Sequence, residues 1–369
     1  MKLSIVCFLF LFLQISFSQI TNTATLDTTG GQQIGNTSIG GYLDLYYGYN
    51  LNDVPSKSIP YFVSSHRNNE LNVNLAFVDI RYQSKKVRAR IVPGFGTYMN
   101  QNYAAEPGSL RNLVEASAGF KLSKKKNIWM DAGILGSPYT NESAISKDHL
   151  MYTRSLAPEY VPYYLSGLKF SFPVKEKLNL YLYILNGWQQ IRDQNNGKSI
   201  GTQLEWRPNS NNLINWNTYV GDERSSNSIT NRMRYFSDIY WLFNAGKKWN
   251  FTSCIYVGRQ DQKTNQQIKS AYYWWQANFI AAYAFTVKIS LSGRVEYFSD
   301  PDQMILDALD NNGFNGGSLG LCFNFKFTDK SVFRLDARHF YALDSQFEKG
   351  SFNVSNQVTW LTGNITIWF

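Results

Sequence analysis

The sequence predicts an all-β protein, a transmembrane antiparallel β-barrel of about sixteen strands with short turns at one rim and long loops at the other. Three observations predict it. From Gly41 to Phe369, apolar and polar residues alternate in segments of roughly ten residues separated by turn chemistry. The connections between those segments alternate short and long. Aromatic residues make up 16% of the chain, yet its mean hydropathy is only -0.32. Tyr, Phe and Trp collect at membrane interfaces, and a barrel conceals its hydrophobicity in alternation.

The chain opens "MKLSIVCFLFLFLQISFSQ", with one Lys, an apolar run from Leu3 to Ile15, and the small residues Ser16 and Ser18 ahead of Gln19. That order predicts a secretory signal peptide over 1–18, too short for a membrane span and cleaved after Ser18. A polar segment over 19–38 follows, too short for a plug domain, and the barrel occupies 39–369. No later stretch reaches about 18 consecutive apolar residues, so no helix is expected to span a membrane. After cleavage only Cys254 and Cys322 remain. They cannot form a disulfide framework, and they fall on strands that are not neighbours in this reading, although a single pairing in an oxidising compartment stays open.

The first strand, "YLDLYYGYN", sets Leu43, Leu45, Tyr47 and Tyr49 against Tyr42, Asp44 and Tyr46. In "ELNVNLAF" the apolar face is Leu71, Val73, Leu75 and Phe77. "VRARIV" opposes Val87, Ala89 and Ile91 to Arg88 and Arg90, and "VEASAGFKL" opposes Val114, Ala116, Ala118, Phe120 and Leu122 to Glu115, Ser117 and Lys121. Further strands are expected near 128–135, 164–172, 178–186, 199–206, 213–221, 233–243, 249–258, 271–285, 288–298, 318–327, 332–341 and 355–369. One place disobeys. After Phe77, Asp79 and Arg81 fall on the apolar face, which predicts a bulge or an early exit from the membrane there.

The short connections, such as "QSKK", "SKKKN" and "NAGKKWN", hold twelve basic residues, Lys85, Lys86, Lys124, Lys125, Lys126, Lys175, Lys177, Arg207, Lys247, Lys248, Lys288 and Lys330, against Glu176 and Asp329, an excess of ten that is more than the whole net charge of +9. The basic balance therefore sits on one rim, either beside anionic headgroups or simply as soluble turns, and gives no reason to expect nucleic acid. The final "TGNITIWF" ends on an aromatic with Ile365, Ile367 and Phe369 on one face. In a soluble domain that would be a sticky edge, whereas in lipid it closes against the first strand with its apolar face satisfied.

The polar faces of the strands place Arg88, Arg90, Lys121, Lys169, Arg234, Arg294, Arg334 and Arg338 inward, with Asp44, Glu70, Glu115, Asp131, Glu205, Asp238, Glu296 and Asp336 opposing them. The signs balance, so the lumen is expected to be mixed, wet and nearly neutral. Part of these charges should form structural pairs, Arg334 with Asp336 and Arg294 with Glu296 among them. The longest loop, 136–163, has a helix-like centre, "ESAISKDHLMYTR", with Glu142, Lys147, Asp148, Arg154 and Glu159 as candidate constriction residues. Its apolar Ile145, Leu150, Met151 and Leu156 predict a folded segment that packs onto something. Folding into the barrel as a constriction is the favoured expectation; an outer cap is the other.

Three stretches, "HRNNELNVNLAFVDIRY", "VRARIVPGFGTYMNQNYAAEPG" and "LVEASAGFKLSKKKNIWMDAGILGSPYTNESAISKD", resemble the OmpL-like β-barrel porin family, and the resemblance extends over roughly 40–369. It implies an outer-membrane barrel with pore activity and brings no substrate with it. The aromatic terminus resembles the signal by which Gram-negative cells insert such barrels through their assembly machinery.

Enzyme chemistry finds no support: there is no His-Glu-x-x-His or Cys-x-x-Cys, and His66, His149 and His339 are too scattered for a metal site. No cofactor is expected. The expected function is passive diffusion of small hydrophilic solutes or ions through an outer-membrane porin bathed in lipid, with a homotrimer among its options; the alternative is a barrel used for adhesion or partner binding without transport.

Overall fold

Period-two alternation is converted into sixteen strands that close on themselves. In the computed structural model, which describes residues 31–224, 231–263, 269–309 and 312–369, they are β1 (Thr37–Asn50), β2 (Glu70–Gln83), β3 (Val87–Phe95), β4 (Leu113–Lys121), β5 (Trp129–Gly136), β6 (Tyr164–Lys175), β7 (Leu178–Leu185), β8 (Ser199–Asn209), β9 (Asn212–Asp222), β10 (Asn231–Ala245), β11 (Trp249–Lys263), β12 (Lys269–Ala284), β13 (Ile289–Asp300), β14 (Phe314–Thr328), β15 (Ser331–Ala342) and β16 (Gln357–Trp368). Each pairs antiparallel with the next, and β16 closes against β1 with Trp360 opposite Asn50 and Trp368 opposite Tyr42. Closure gives every wall strand two neighbours, which lipid demands because it offers no hydrogen bonds.

The segment read as a signal peptide lies outside the described residues. The polar segment placed at 19–38 ends earlier than expected: Thr37 and Ser38 already belong to β1, and a short strand, Gln32–Ile34, folds back on Thr37–Ile39 through Gly35 at φ 60°.

Both termini of the barrel share a rim with the short turns at 84–86, 122–128, 176–177, 210–211, 246–248, 285–288 and 329–330. Long connections at 51–69, 96–112, 137–163, 186–198, 301–313 and 343–356 occupy the opposite rim, with residues 310 and 311 outside the description. Between the rims an apolar belt faces outward, with Ile91, Phe120, Ile239, Ile255, Leu321, Leu335 and Ile365 all exposed. Trp206, Trp249, Phe285, Phe327 and Phe369 ring the turn side, and Tyr49, Tyr235, Tyr273 and Tyr341 ring the loop side. Two aromatic girdles around an apolar belt are what a bilayer selects.

The disobedient stretch in β2 resolves as a bulge, but earlier than expected. Asp44 pairs with Leu75 and Leu45 with Val73, so Asn74 is the extra residue. Everything beyond it is inverted relative to the sequence reading: Leu75 and Phe77 are buried in the lumen, Asp79 and Arg81 join them on the inner face, and Val78, Ile80 and Tyr82 face lipid. Asn74 lies at the bulge because its amide finds a carboxylate there, donating to Asp44 Oδ2 at 2.9 Å. A second register shift, between Val92 and Pro93, turns Val114 inward rather than outward.

The hydrophobic core is inside the barrel. Its larger cluster joins Ile59, Phe62, Leu156, Leu306 and Phe347 from the loops to inward Tyr183, Phe236, Tyr256, Trp274, Phe298 and Trp360. A second cluster joins Leu75, Phe77 and Val92 of the wall to Tyr98, Met99, Tyr103 and Ile145. The expectation of a mixed, wet and nearly neutral lumen is corrected for the loop half of the barrel. Towards the loop rim the lumen is packed with aromatic side chains, and polar space persists towards the turn rim.

Candidate functional site in the barrel lumen

The residues expected to line the interior are on the inner face. Asp44, Glu115, Asp131, Glu205, Arg234, Asp238, Arg294, Glu296, Arg334, Asp336 and Arg338 are buried there. Arg88, Arg90 and Lys169 line a lumenal cavity, and Lys121 lies near the turn rim opposite Trp129. The structure divides this set in two, according to what faces it.

One half of the wall receives the loop 137–163, which runs inside the barrel. The wall's carboxylates accept the loop's donors: Thr140 N–H reaches Asp238 Oδ2 at 2.6 Å, Thr153 N–H reaches Asp336 Oδ2 at 3.0 Å, and Leu156 N–H reaches Glu296 Oε2 at 2.6 Å. Its arginines donate to the loop's carbonyls, Arg294 Nη1 to Thr153 O at 2.6 Å and Arg338 Nη1 to Arg154 O at 2.6 Å. Asp44 takes Tyr152 Oη at 3.1 Å and Ser146 Oγ at 3.2 Å. Ile145, Met151 and Leu156 are buried, so the apolar positions that predicted packing do pack, onto the lumen wall.

This anchoring explains why the centre of the loop is not the helix its sequence resembles. Only a 3-10 turn at Ser146–Asp148 and one α-turn at Leu156–Glu159 form. A helix satisfies its donors at i−4; here they are taken by wall carboxylates, by Tyr42 Oη for Ser146 N–H at 3.0 Å, and by His149 Nε2 for Ser143 N–H at 3.0 Å. The loop's own charges are likewise engaged within it or beside it. Arg154 lies 3.0 Å from Glu159 and 4.3 Å from the Tyr163 ring, Lys147 pairs with Asp148 at 2.7 Å, and Glu142 accepts Ser155 N–H at 2.8 Å. Burial pushes the Glu142 carboxyl up, against the opposing pull of Arg294. Burial, reinforced by Arg154 and Arg334, holds the His149 imidazole well below the usual histidine range.

Of the two wall pairs expected, Arg294 lies 3.9 Å from Glu296, which is held more closely by Arg338. Arg334 departs from expectation. Its Nε donates to Asn324 Oδ1 at 2.9 Å and its Nη2 to His149 O at 3.4 Å, while Asp336 serves Thr153. Both side chains are drawn to the loop, a partner that the strand pattern alone does not contain.

The other part of the wall, β2 to β7, borders a cavity of about 650 Å³. It runs from Gln83, Asn127 and Pro173 near the turn rim to Leu135 and Gly136, between Arg88, Arg90, Glu115, Asp131 and Lys169. Arg90 bridges Asp79 at 2.7 Å and Glu115 at 2.8 Å, and Arg81 also pairs with Asp79 at 2.7 Å. Arg88 pairs with Asp131 and stacks 4.4 Å from the Trp129 ring centre.

Sequence reasoning missed Asp79, which it placed on the wrong face, and Glu106 of the loop 96–112. Glu106 is buried and accepts Tyr164 Oη at 2.9 Å, Ile191 N–H at 2.8 Å and Arg192 N–H at 3.1 Å, tying two loops to β6. An acidic residue ahead of "PG" reads as an ordinary turn, so only three-dimensional proximity reveals this role.

The sequence profile of the family described as "Putative beta-barrel porin-2, OmpL-like" matches residues 36–369. None of the curated proteins searched matches the chain. Among solved structures, the outer membrane channel DcaP of Acinetobacter baumannii aligns with a TM-score of 0.62 at 8% identity, covering 92% of this chain and 99% of that one. OmpT of Vibrio cholerae aligns at 0.58 and 8% identity, covering 92% and 100%. The anion-selective porin from Comamonas acidovorans aligns at 0.57 and 6% identity, covering 90% and 99%. At such identities the likeness is one of fold.

Proposed function

This chain belongs to the OmpL-like β-barrel porin family, and from that premise we propose that it is an outer-membrane porin for passive diffusion of small hydrophilic solutes. One observation carries the reading: a polar cavity of about 650 Å³ lies inside the barrel, beside a loop folded into the same lumen. A sixteen-strand barrel is wide enough to enclose both. In this reading the loop 137–163 sets the narrowest cross-section, and the paired charges around the cavity keep selectivity between small cations and anions weak. A planar-bilayer recording tests it. Stepwise conductance from the purified protein is expected, and a folded barrel that never conducts overturns it.

The packed loop end favours a second reading, a closed barrel whose loops form an adhesive or partner-binding surface. The same recording decides between the two.

A homotrimer is also proposed. OmpT of Vibrio cholerae has been solved in a trimer form. In this chain β4, β5 and β7 are only 8 or 9 residues long, and at ~3.3 Å per residue and ~40° of tilt they fall short of a ~25 Å apolar band. Another protomer against Ala116, Ala118 and Ala132 would relieve that mismatch. Outer-membrane lipid remains the neighbour of the longer strands, and the barrel-assembly machinery is the partner during insertion.

A further inference from the structure

Glu115 and Asp131 line the lumenal cavity, Asp79 and Glu205 stand behind its lining Arg90 and Asn179, and each of these four carboxylates is already bonded to an arginine. Asp79 holds Arg81 and Arg90, Glu115 holds Arg90, Asp131 holds Arg88, and Glu205 holds Arg207 at 3.2 Å. One cation is left over. Lys169 lines the cavity from β6, and among the described residues no carboxylate oxygen lies within the 4.0 Å of an ion pair. Its register neighbours across the sheet are Asp131, already taken by Arg88, and Tyr183. Its ammonium instead stands 4.9 Å from the Tyr181 ring centre and 5.8 Å from that of Tyr183. An ammonium in a walled, low-dielectric space costs free energy until an anion joins it, and clefts of this kind focus the field of an uncompensated charge.

We propose that Lys169 anchors a binding subsite for a small organic carboxylate inside the barrel. The Tyr181 ring offers a flat surface for the body of the solute, while Asn179, Ser117 and Ser171 add neutral donors and acceptors to the same lining. Arg88 and Asp131 fix the electrostatics from the opposite side of the ammonium. The other charges around the cavity cancel in pairs, so the subsite is one positive point on a near-neutral path. It retains an anion without making the pore strongly anion-selective. This rests on the cavity being reached by solute, as the porin reading holds, but it concerns a site within the cavity rather than passage through the barrel.

Single-channel recording in potassium chloride with benzoate added to either chamber tests it. Saturable, concentration-dependent interruption of the current is expected. In Lys169→Met the half-blocking concentration should rise roughly tenfold or more, the scale of one charge-assisted contact, with Lys169→Arg retaining block. Asp131→Asn, which frees Arg88 to act beside Lys169, should strengthen the block. An open channel that benzoate does not interrupt, or that blocks equally in Lys169→Met of normal heat-modifiability, overturns the subsite and leaves the pore reading standing. If the intact protein never conducts, the pore reading fails by itself. Titration calorimetry of the detergent-folded barrel with benzoate then decides the subsite, with saturable binding lost in Lys169→Met supporting it and no binding overturning it.

Discussion

Asp44 of the first strand, fully buried, accepts the hydroxyl of Tyr152, which belongs to a loop 108 residues away in sequence, at 3.1 Å. The same carboxylate takes Asn74 at 2.9 Å, Asn364 at 2.6 Å and Ser146 at 3.2 Å. It therefore joins the bulge in β2, the closing strand and the inward loop at one point. A hub of this kind couples closure of the barrel to seating of the loop, because removing it orphans donors on all three elements.

Replacing Asp44 with Ala should unseat the loop more than it damages the wall. Each buried donor left without an acceptor costs about 1–3 kcal/mol, and the loop, unlike the strands, has no ladder to fall back on. The expected outcome is larger conductance and protease sensitivity within 143–156, in a barrel that still migrates as heat-modifiable. Excision of Ser143 to Leu156 should go further in the same direction. Unchanged conductance in a well-folded deletion would remove the loop from the constriction.

Acid should loosen the loop through His149. Its Nε2 accepts the Ser143 N–H at 3.0 Å and its Nδ1 has no partner, so a second proton would destroy the one bond the ring accepts and add charge near Arg154 and Arg334. The seated loop holds the imidazole below its ordinary value, and the released loop therefore binds more protons. Seating is favoured above the ordinary histidine range and is lost as pH falls below about 6.5 towards the depressed value, at about 1.4 kcal/mol per unit within that window. Glu142 acts in the opposite sense, since its raised carboxyl is protonated more readily when seated. Conductance recorded from pH 7.5 to 5 should rise in the intact protein and flatten in His149→Gln. A rise of equal size in both would assign the effect elsewhere.

The barrel was legible in the sequence because lipid imposes one rule along its whole length. Outward alternation in β1 and β3, the short turns and the apolar terminus all follow from it, and Leu43, Ile91 and Ile365 take the faces that pattern assigns. Where β2 departs from the rule, a single extra residue at Asn74 inverts everything after it, and no local signal says where the extra residue falls. The lumen was legible in residue type but not in partnership. Arg334 and Asp336 stand two apart on one strand and look like a pair; the arrival of Thr153 and His149 from a distant loop redirects both. The helical pattern of 142–154 misled for the same reason, since wall carboxylates outcompete a helix for its donors.

Secretion makes a separate expectation. Ser16 and Ser18 provide the small residues a signal peptidase requires, so N-terminal mass spectrometry of the outer-membrane fraction should find Gln19 first. A retained Met1 would sink the secretory reading.

The C-terminus is where assembly and packing meet. Phe369 is well exposed on the turn-side girdle, and its backbone exchanges two hydrogen bonds with Gly41, at 2.8 and 3.0 Å, as the last rung of the closing seam. Its ring lies against Gly41, the one residue type that leaves room for it, since any Cβ there would meet the ring at 2.3 Å. Phe369→Asp removes the aromatic cover and sets a charge on the lipid side of the rim, which near an interface costs about 0–1 kcal/mol. The seam between β16 and β1 is also the last pairing available to the chain, so a weakened final rung leaves an open edge during insertion. Expression in an outer membrane should yield less heat-modifiable, protease-resistant barrel for Phe369→Asp, with Phe369→Trp close to the parent. Normal yield from the charged variant would mean that the terminal residue neither seals the seam nor serves insertion.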